Sequence, residues 1–154
     1  MPVVIFTEGG GGRPGDTDVT TQIAGLHIPS FSTWARLTGK CLKIAVNNGY
    51  CFAGNAVLFG CSDFMIATKQ SWIGMAGPAM IEGGGLGVYD PKEIGPAEEQ
   101  YKNGVLDYLA EDEKDATFIA KKLLSYFQGN LSDWSIDDQT KLRDIIPEDR
   151  RWAY

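Results

Sequence analysis

Three short apolar runs, at residues 3–7, 42–48 and 64–68, lack the polar alternation of strands that have one face in water. Unbroken apolar runs of this length are typical of strands that are covered on both faces of a parallel sheet. A shorter strand is expected at 71–75 and an edge strand at 104–109. The pattern therefore predicts an α/β fold.

A helix is predicted after Asp112, where apolar residues recur at the helical period until Gly129. Aspartate is a common helix N-cap and glycine commonly follows a helix C-terminus, so both ends of this helix are marked. Weaker patterns predict a helix within 29–39, a buried helix over 53–60 and a short one within 136–145.

Composition narrows the functional classes. The 154 residues are 44% hydrophobic, enough for one domain with a core, and the formal net charge of −6 argues against nucleic-acid binding. Three cysteines spaced ten residues apart and a single histidine support neither a zinc site nor a disulfide framework. No apolar run approaches the roughly 20 residues that span a bilayer, and no signal peptide is recognisable, so we expect a cytoplasmic protein without a membrane span.

The two ends of the chain predict an excerpt of a longer protein. The first residues already form a strand of the buried type, and residues 130–154 are polar and end without a cap. We therefore expect a partial domain over 1–129 and a peripheral arm over 130–154. Open strand edges and apolar faces in such an excerpt would favour self-association.

Two glycine-rich turns follow predicted strands and are the leading candidates for chemistry. Four consecutive glycines stand between Glu8 and Arg13, and a second small-residue turn within 47–55 leads into the buried helix. Because glycine lacks a Cβ, backbone N–H groups there can approach an anionic oxygen closely. We expect the two turns to converge on one oxygen, although glycines also occur in turns that are merely tight. A third glycine-rich stretch, 76–87, is expected to be a loop that forms a lid or a pocket wall.

Side-chain catalysis has little support in the sequence. His27 is the only imidazole, no nucleophile-elbow motif is present, and Pro14 and Gly15 interrupt the helix that a dinucleotide-binding turn requires. Glu8 and Glu82 are the carboxylates that a hydratase or isomerase would use. Stabilisation of an oxyanion by backbone N–H groups is the favoured chemistry.

Residues 2–16, 49–56 and above all 73–87 resemble the carboxyltransferase domain of biotin-dependent acyl-CoA carboxylases, and the likeness continues through 126–129 and 146–150. The resemblance implies a crotonase-like fold, which is a spiral of ββα units. It also implies transfer of a carboxyl group from carboxybiotin to the α-carbon of an acyl-CoA, with the biotin nitrogen taking the α-proton. A short acyl-CoA, of the acetyl or propionyl type, is the expected acceptor.

The resemblance also assigns site residues. The family's Ser-Gly-Gly-Ala-Arg turn, which supplies N–H groups to the thioester oxyanion, corresponds to residues 9–13, and Gly10 and Gly11 are the expected donors. Gly9 and Gly12 stand where the family usually has Ser and Ala. The other positions expected to line the substrate site are Gly9, Gly12, Arg13, Gly49, Ala53, Gly54, Asn55, Gly77 and Gly84.

The expected partners follow from the same resemblance. In this family the active site forms between the N-terminal half of one subunit and the C-terminal half of another, and biotin is carried on a separate biotin carboxyl carrier protein or domain. The chain matches the later part of an N-terminal half, so we expect a homo-oligomeric parent and little or no activity from the chain alone. A subunit of a biotin-dependent acyl-CoA decarboxylase and a non-catalytic binding or assembly module remain alternatives.

Overall fold

The computed structural model describes residues 1–11, 29–130 and 132–145 of the chain. The strands are β1 (Val3–Phe6), β2 (Lys43–Asn47), β3 (Tyr50–Phe52), β4 (Phe64–Thr68), β5 (Trp72–Gly74) and β6 (Tyr108–Ala110). The helices are α1 (Pro29–Arg36), α2 (Gly54–Gly60), α3 (Pro78–Gly83), α4 (Ala97–Lys102) and α5 (Glu113–Ser125), with 3-10 turns at Pro91–Glu93 and Gln139–Asp144. None of the described helices is long and apolar enough to cross a membrane.

The strands form two parallel sheets. The larger sheet has the order β1-β2-β4-β6, and the smaller one pairs β3 with β5. Every residue of β2 is buried, as its unbroken apolar run predicts for a strand covered on both faces. The predicted α/β class with a parallel sheet is confirmed.

A repeated strand-strand-helix unit organises these elements. In β2-β3-α2 and again in β4-β5-α3, the first strand enters the larger sheet, the second enters the smaller sheet and a helix follows. Gly9 continues this arrangement beyond β1, because it forms a parallel bridge with Cys51 of β3. The chain therefore follows the ββα spiral of a crotonase-like fold.

The core lies on both faces of the larger sheet. Alternate residues of a strand point to opposite faces, so Ala45 packs toward α2 and Phe59 while Ile44 and Val46 pack toward α5. The helix α5 has the predicted amphipathic pattern, with Ala116, Ala120 and Leu123 buried.

Two short elements correct the sequence-based interpretation. The small-residue turn predicted within 47–55 is divided in the structure, because β3 occupies Tyr50–Phe52, with Cys51 and Phe52 buried against β5. Residues 76–87 were expected to be a loop, but α3 begins at Pro78, a residue suited to the first turn of a helix. No residue of α3 is buried.

The region between β5 and α5 also differs from expectation. Helix α4 was not predicted, and the strand expected at 104–109 starts four residues later, at Tyr108. Residue Gly104 has φ +74° and directly follows the C-cap of α4, a conformation typical of glycine at a helix end.

The predicted N-cap of α5 gives a stability test. The Asp112 side chain accepts a hydrogen bond from the Asp115 N–H at 2.8 Å, so the Asp112→Ala variant leaves that donor without its acceptor. We expect the free energy of unfolding to fall by about 1 kcal/mol, measured by urea denaturation. The Asp112→Asn variant retains a capping oxygen and should lie close to wild type; an equal loss in both variants would contradict the capping role.

Candidate functional site

The first glycine turn begins where the chain passes from the larger sheet to the smaller one. The Thr7 N–H donates to the Val46 carbonyl of β2 at 3.1 Å. Two residues later, the Gly9 N–H donates to the Tyr50 carbonyl at 2.7 Å and the Gly9 carbonyl accepts from the Phe52 N–H at 2.9 Å. The turn is thus anchored to β3 at Gly9.

Gly10 and Gly11 follow this anchor with free N–H groups. Among the described residues, neither N–H has a hydrogen-bond acceptor. Gly11 has φ +83°, and a methyl group there would lie 3.3 Å from the Ala53 Cβ and 3.6 Å from the Phe52 carbonyl oxygen. The first glycine turn therefore lies beside the turn that joins β3 to α2.

The second turn contains a strained residue. Ala53 has φ 54° and ψ −119°, and it is the only non-glycine with a positive φ in the described part of the chain. Such conformations cost about 1–3 kcal/mol and are concentrated at functional sites. The Ala53 N–H is already bonded to the Gly74 carbonyl at 3.0 Å, whereas the N–H groups of Gly54 and Asn55 have no acceptor among the described residues.

Asn55 contacts the first turn through its side chain. Its Nδ2 donates to the Thr7 carbonyl at 3.0 Å and to the Glu8 carbonyl at 3.2 Å. A methyl group at Gly9 would lie 2.6 Å from the same nitrogen. Asn55 therefore joins the two turns directly.

Gly49 lies at the opposite end of β3 from this junction. It has φ 134°, and its carbonyl accepts from the Trp72 N–H and from Asn47 Nδ2 at 3.0 and 2.8 Å. Since a strand rises about 3.3 Å per residue, Gly49 is about 13 Å along the chain from Ala53. The structure does not bring Gly49 to the meeting point of the two turns.

Gly77 and Gly84 are the two glycines of the third stretch that were expected to line the site, and the structure brings only Gly77 to the junction. A methyl group at Gly77 would lie 3.5 Å from the Gly10 carbonyl oxygen. Gly84 is the C-cap of α3, at the far end of a helix about 9 Å long. Gly12, Arg13 and His27 lie outside the described residues.

The two carboxylates that a hydratase or isomerase would use have different surroundings. The Glu8 Oε1 accepts from the Asn48 N–H at 2.8 Å, in the turn between β2 and β3. Glu82 lies near the end of the exposed helix α3.

A network of buried hydroxyl and amide groups supports the ends of the strands, and the sequence analysis missed it. Thr7 donates to Asn47 Oδ1 at 3.2 Å, Thr68 donates to Asn48 Oδ1 at 2.7 Å, and Ser71 donates to the Asn47 carbonyl at 3.0 Å. Every buried side-chain nitrogen and oxygen in the described residues has a partner. The signal in the sequence was a polar residue closing each of the three apolar runs.

A polar cavity lies apart from the two glycine turns. This cavity has a volume of about 350 Å³ and lies between the end of β4 and the start of α5. Its walls include Glu111, Asp112 and Glu113. Lys114 also lines the cavity, but three carboxylates against one ammonium group leave a net negative charge, which would repel the phosphates of an anionic ligand such as coenzyme A. The cavity therefore does not extend the glycine site.

Cys51 is a buried thiol beneath the first turn. Burial raises its pKa from 9.0 to about 11; the hydrogen bond with Thr7 lowers it and the Glu8 carboxylate raises it further. The thiol is therefore protonated and unreactive at neutral pH.

The raised pKa of Cys51 predicts a pH dependence of stability. Between pH 9 and 11 the thiol ionises in the unfolded chain but stays protonated in the folded one, so stability is lost as the pH rises. In urea denaturation the wild type should lose up to about 1.4 kcal/mol more per pH unit than Cys51→Ala in that interval. Parallel pH profiles for the two proteins would contradict the assignment.

Comparison with known proteins identifies the family. The model of the carboxyl transferase domain matches residues 1–154. The methylmalonyl-CoA carboxyltransferase 12S subunit of Propionibacterium freudenreichii subsp. shermanii is 30% identical and aligns with 99% of this chain and 30% of its own length. The biotin-dependent 3-methylcrotonyl-coenzyme A carboxylase beta1 subunit of Mycobacterium tuberculosis is 27% identical over 80% of this chain and 26% of its own length. The chain thus spans less than a third of the length of these relatives.

Solved structures show the same relationship. A single-chain, multi-domain long-chain acyl-CoA carboxylase is 52% identical, with a TM-score of 0.80 over 98% of this chain and 15% of its own. The transcarboxylase 12S subunit, whose crystal structure is a hexamer assembly with methylmalonyl-CoA bound, is 29% identical, with a TM-score of 0.72 over 95% of this chain and 30% of its own. The whole-length family match and the shared fold agree, and the chain belongs to the carboxyl transferase domain family.

Proposed function

We propose that this chain forms the acyl-CoA-binding part of an enzyme that moves a carboxyl group from carboxybiotin to the α-carbon of an acyl-CoA. The observation that carries the proposal is the meeting of the two turns, in which Gly11 lies beside Ala53 and backbone N–H groups have no acceptor among the described residues. Carboxybiotin, held on a separate carrier protein or domain, supplies the carboxyl group in this class of reaction.

The free N–H groups suit the charge that develops during this reaction. Loss of the α-proton places negative charge on the thioester oxygen. Hydrogen-bond donors that already point at that oxygen stabilise the charge and lower the activation free energy of proton removal, because they do not have to reorient during the reaction. We propose the N–H groups of the first glycine turn, Gly10 and Gly11, together with that of Gly54 as the donors. Removing one such donor typically slows a reaction by about 10²–10³-fold.

The directions of the peptide groups rank these donors. The N–H and C=O of a trans peptide point in opposite directions. Because the Gly9 carbonyl points at the Phe52 N–H of β3, the N–H of Gly10 points away from β3. The Gly10 carbonyl faces Gly77, so the N–H of Gly11 points away from Gly77. Because Gly11 also lies beside Ala53, the residue that precedes Gly54, Gly11 is our first choice of partner for Gly54.

Two acyl acceptors are proposed. The first candidate is a short acyl-CoA of the acetyl or propionyl type, as the family resemblance implies. The 52% identity to a long-chain acyl-CoA carboxylase over 98% of the chain favours a long-chain acyl-CoA as the second candidate.

The proposed assembly requires groups beyond the described site. We propose that a C-terminal carboxyltransferase half from a neighbouring subunit and a biotin carrier complete it in a homo-oligomer, with 1–129 as the partial domain and 130–154 as an arm. The described residues of the arm are consistent with this placement, since Trp134, Ile136 and Ile145 are exposed. The chain alone should not decarboxylate malonyl-CoA with free biotin at a measurable rate.

Titration calorimetry of the chain with propionyl-CoA, palmitoyl-CoA and free CoA tests the proposal. We expect the thioesters to bind more tightly than CoA, because the free N–H groups contact the thioester oxygen, and the tighter thioester identifies the acceptor class. Binding of neither thioester would overturn the proposal in favour of a non-catalytic assembly module.

A further inference from the structure

We propose that Asn55 is a positioning residue, which fixes the directions of the Gly10 and Gly11 N–H groups without touching the substrate. The inference deepens the proposed function and rests on it. It also revises the expectation that Asn55 lines the floor of the substrate pocket.

The NH₂ group of the Asn55 side chain is fully occupied by the backbone of the first turn. A side-chain NH₂ has two hydrogens, and the two acceptors nearest to Nδ2 are the carbonyls of Thr7 and Glu8, at 3.0 and 3.2 Å. No hydrogen of this group remains for a ligand. These two carbonyls lie after the last hydrogen bond of this segment to β2 and before its first hydrogen bond to β3, so neither strand pairs with them.

The two hydrogen bonds from Asn55 Nδ2 to the Thr7 and Glu8 carbonyls, here called the clamp, define the geometry of the residues that follow them. Thr7 is bonded to β2, Gly9 is bonded twice to β3, and Asn55 holds the carbonyls between them. The N–H groups of Gly10 and Gly11 have no such bonds to the described residues. Their directions therefore depend on how residues 7–9 are held. Losing the clamp leaves two carbonyls without a protein partner and allows the backbone of residues 7–9 to rotate.

Gly9 and Asn55 are sterically complementary. A Cβ at Gly9 would lie 2.6 Å from the Asn55 Nδ2 and 2.8 Å from its Cγ, distances that real Cβ atoms do not adopt. A side chain at position 9 would therefore displace the Asn55 side chain from the position it occupies here.

The experiment compares wild type with Asn55→Ala, Gly9→Ser and the double variant. Gln100→Ala is the matched control, because Gln100 Nε2 also donates to a backbone carbonyl, that of Ile73 at 2.7 Å, away from the first turn. The melting temperature reports stability. The infrared band of propionyl-CoA labelled with carbon-13 at the thioester carbonyl reports hydrogen bonding to that oxygen.

We expect Asn55→Ala to retain its affinity for free CoA but to lose the shift of the bound carbonyl band to lower frequency. Gln100→Ala should lower the melting temperature comparably and keep the band shift. Gly9→Ser should lower the melting temperature most, and adding Asn55→Ala should recover part of that loss because the clash is removed. An unchanged band shift in Asn55→Ala, or additive effects of the two substitutions, would overturn the proposal.

A measurement on the ligand-free chain separates this proposal from the proposed function. Absence of thioester binding by wild type would contradict the function alone. Nitrogen-15 relaxation then decides the role of Asn55: we expect lower order parameters for the Gly10 and Gly11 amides in Asn55→Ala and unchanged ones in Gln100→Ala. Equal order parameters in wild type and Asn55→Ala would overturn the positioning role.

Discussion

Replacing Gly95 with alanine will cost this chain a large part of its stability. A Cβ at Gly95 would lie 1.9 Å from the Ile73 carbonyl oxygen, which is backbone and cannot rotate away. Gly95 also has φ +57°, a conformation that costs an L-residue about 1–2 kcal/mol. Adding the displacement of packed backbone, we expect a loss of about 3–5 kcal/mol, against a usual total of 5–15 kcal/mol for a domain.

Gly104 provides the matched control for Gly95, since the two glycines flank helix α4. Gly104 has φ +74°, but a Cβ there would meet no atom of the described residues within 4 Å. The Gly104→Ala variant should therefore lose only the backbone cost of about 1–2 kcal/mol. Urea denaturation of both variants measures the difference, and equal losses would show that conformation alone, without the clash, governs position 95.

The effect of Gly95→Ala should reach the functional site. Gly95 accepts a hydrogen bond from the Ile73 N–H at 2.8 Å, and the next residue of β5, Gly74, accepts from the Ala53 N–H at 3.0 Å. Displacing β5 therefore releases the bond that holds the strained turn before α2. Stability and thioester affinity should fall together in this variant.

The elements that the sequence predicted well are those whose burial is visible in the residue pattern. The unbroken apolar runs of β1, β2 and β4, and the amphipathic helix α5 with its Asp112 cap, each bury a face large enough to leave a periodic signal. These elements define the larger sheet and its cover.

Elements defined by backbone contacts were not predictable in the same way. Strand β3 has three residues, and its place beside β5 depends on pairing that no local pattern reveals. As a result, Gly49 was assigned to the same turn as Ala53, although β3 separates them. Helix α3 buries none of its residues, so it leaves no periodic signal.

The meeting of the two turns was predictable in part. Glycine-rich sequence indicated where backbone N–H groups would be free, and the structure brings Gly11 and Ala53 together. The donor role of these groups remains a prediction. The sequence did not show which of these N–H groups already have a hydrogen-bond acceptor. That depends on contacts between distant parts of the chain, such as the bond from the Ala53 N–H to the Gly74 carbonyl, which the local spacing of residues does not reveal.

The proposed oxyanion site predicts opposite outcomes for two neighbouring glycines. An alanine at Gly11 must adopt φ +83° and places its Cβ 3.3 Å from the Ala53 Cβ, so the turn has to change its path. An alanine at Gly10 meets no described atom within 4 Å and is expected to keep the same path. Since both variants retain the backbone N–H, any difference between them reports the direction of that group.

We expect Gly11→Ala to bind propionyl-CoA at least about tenfold more weakly than wild type, the equivalent of about 1.4 kcal/mol, and Gly10→Ala to bind it as wild type does. In the assembled enzyme, loss of the Gly11 donor should slow carboxyl transfer by about 10²–10³-fold. Calorimetry with propionyl-CoA and free CoA measures the first effect, because affinity for free CoA should be the same in all three proteins. Equal weakening in both variants, or weakening for free CoA as well, would show that Gly11 maintains the fold of the turn and does not serve as a donor to the thioester oxygen.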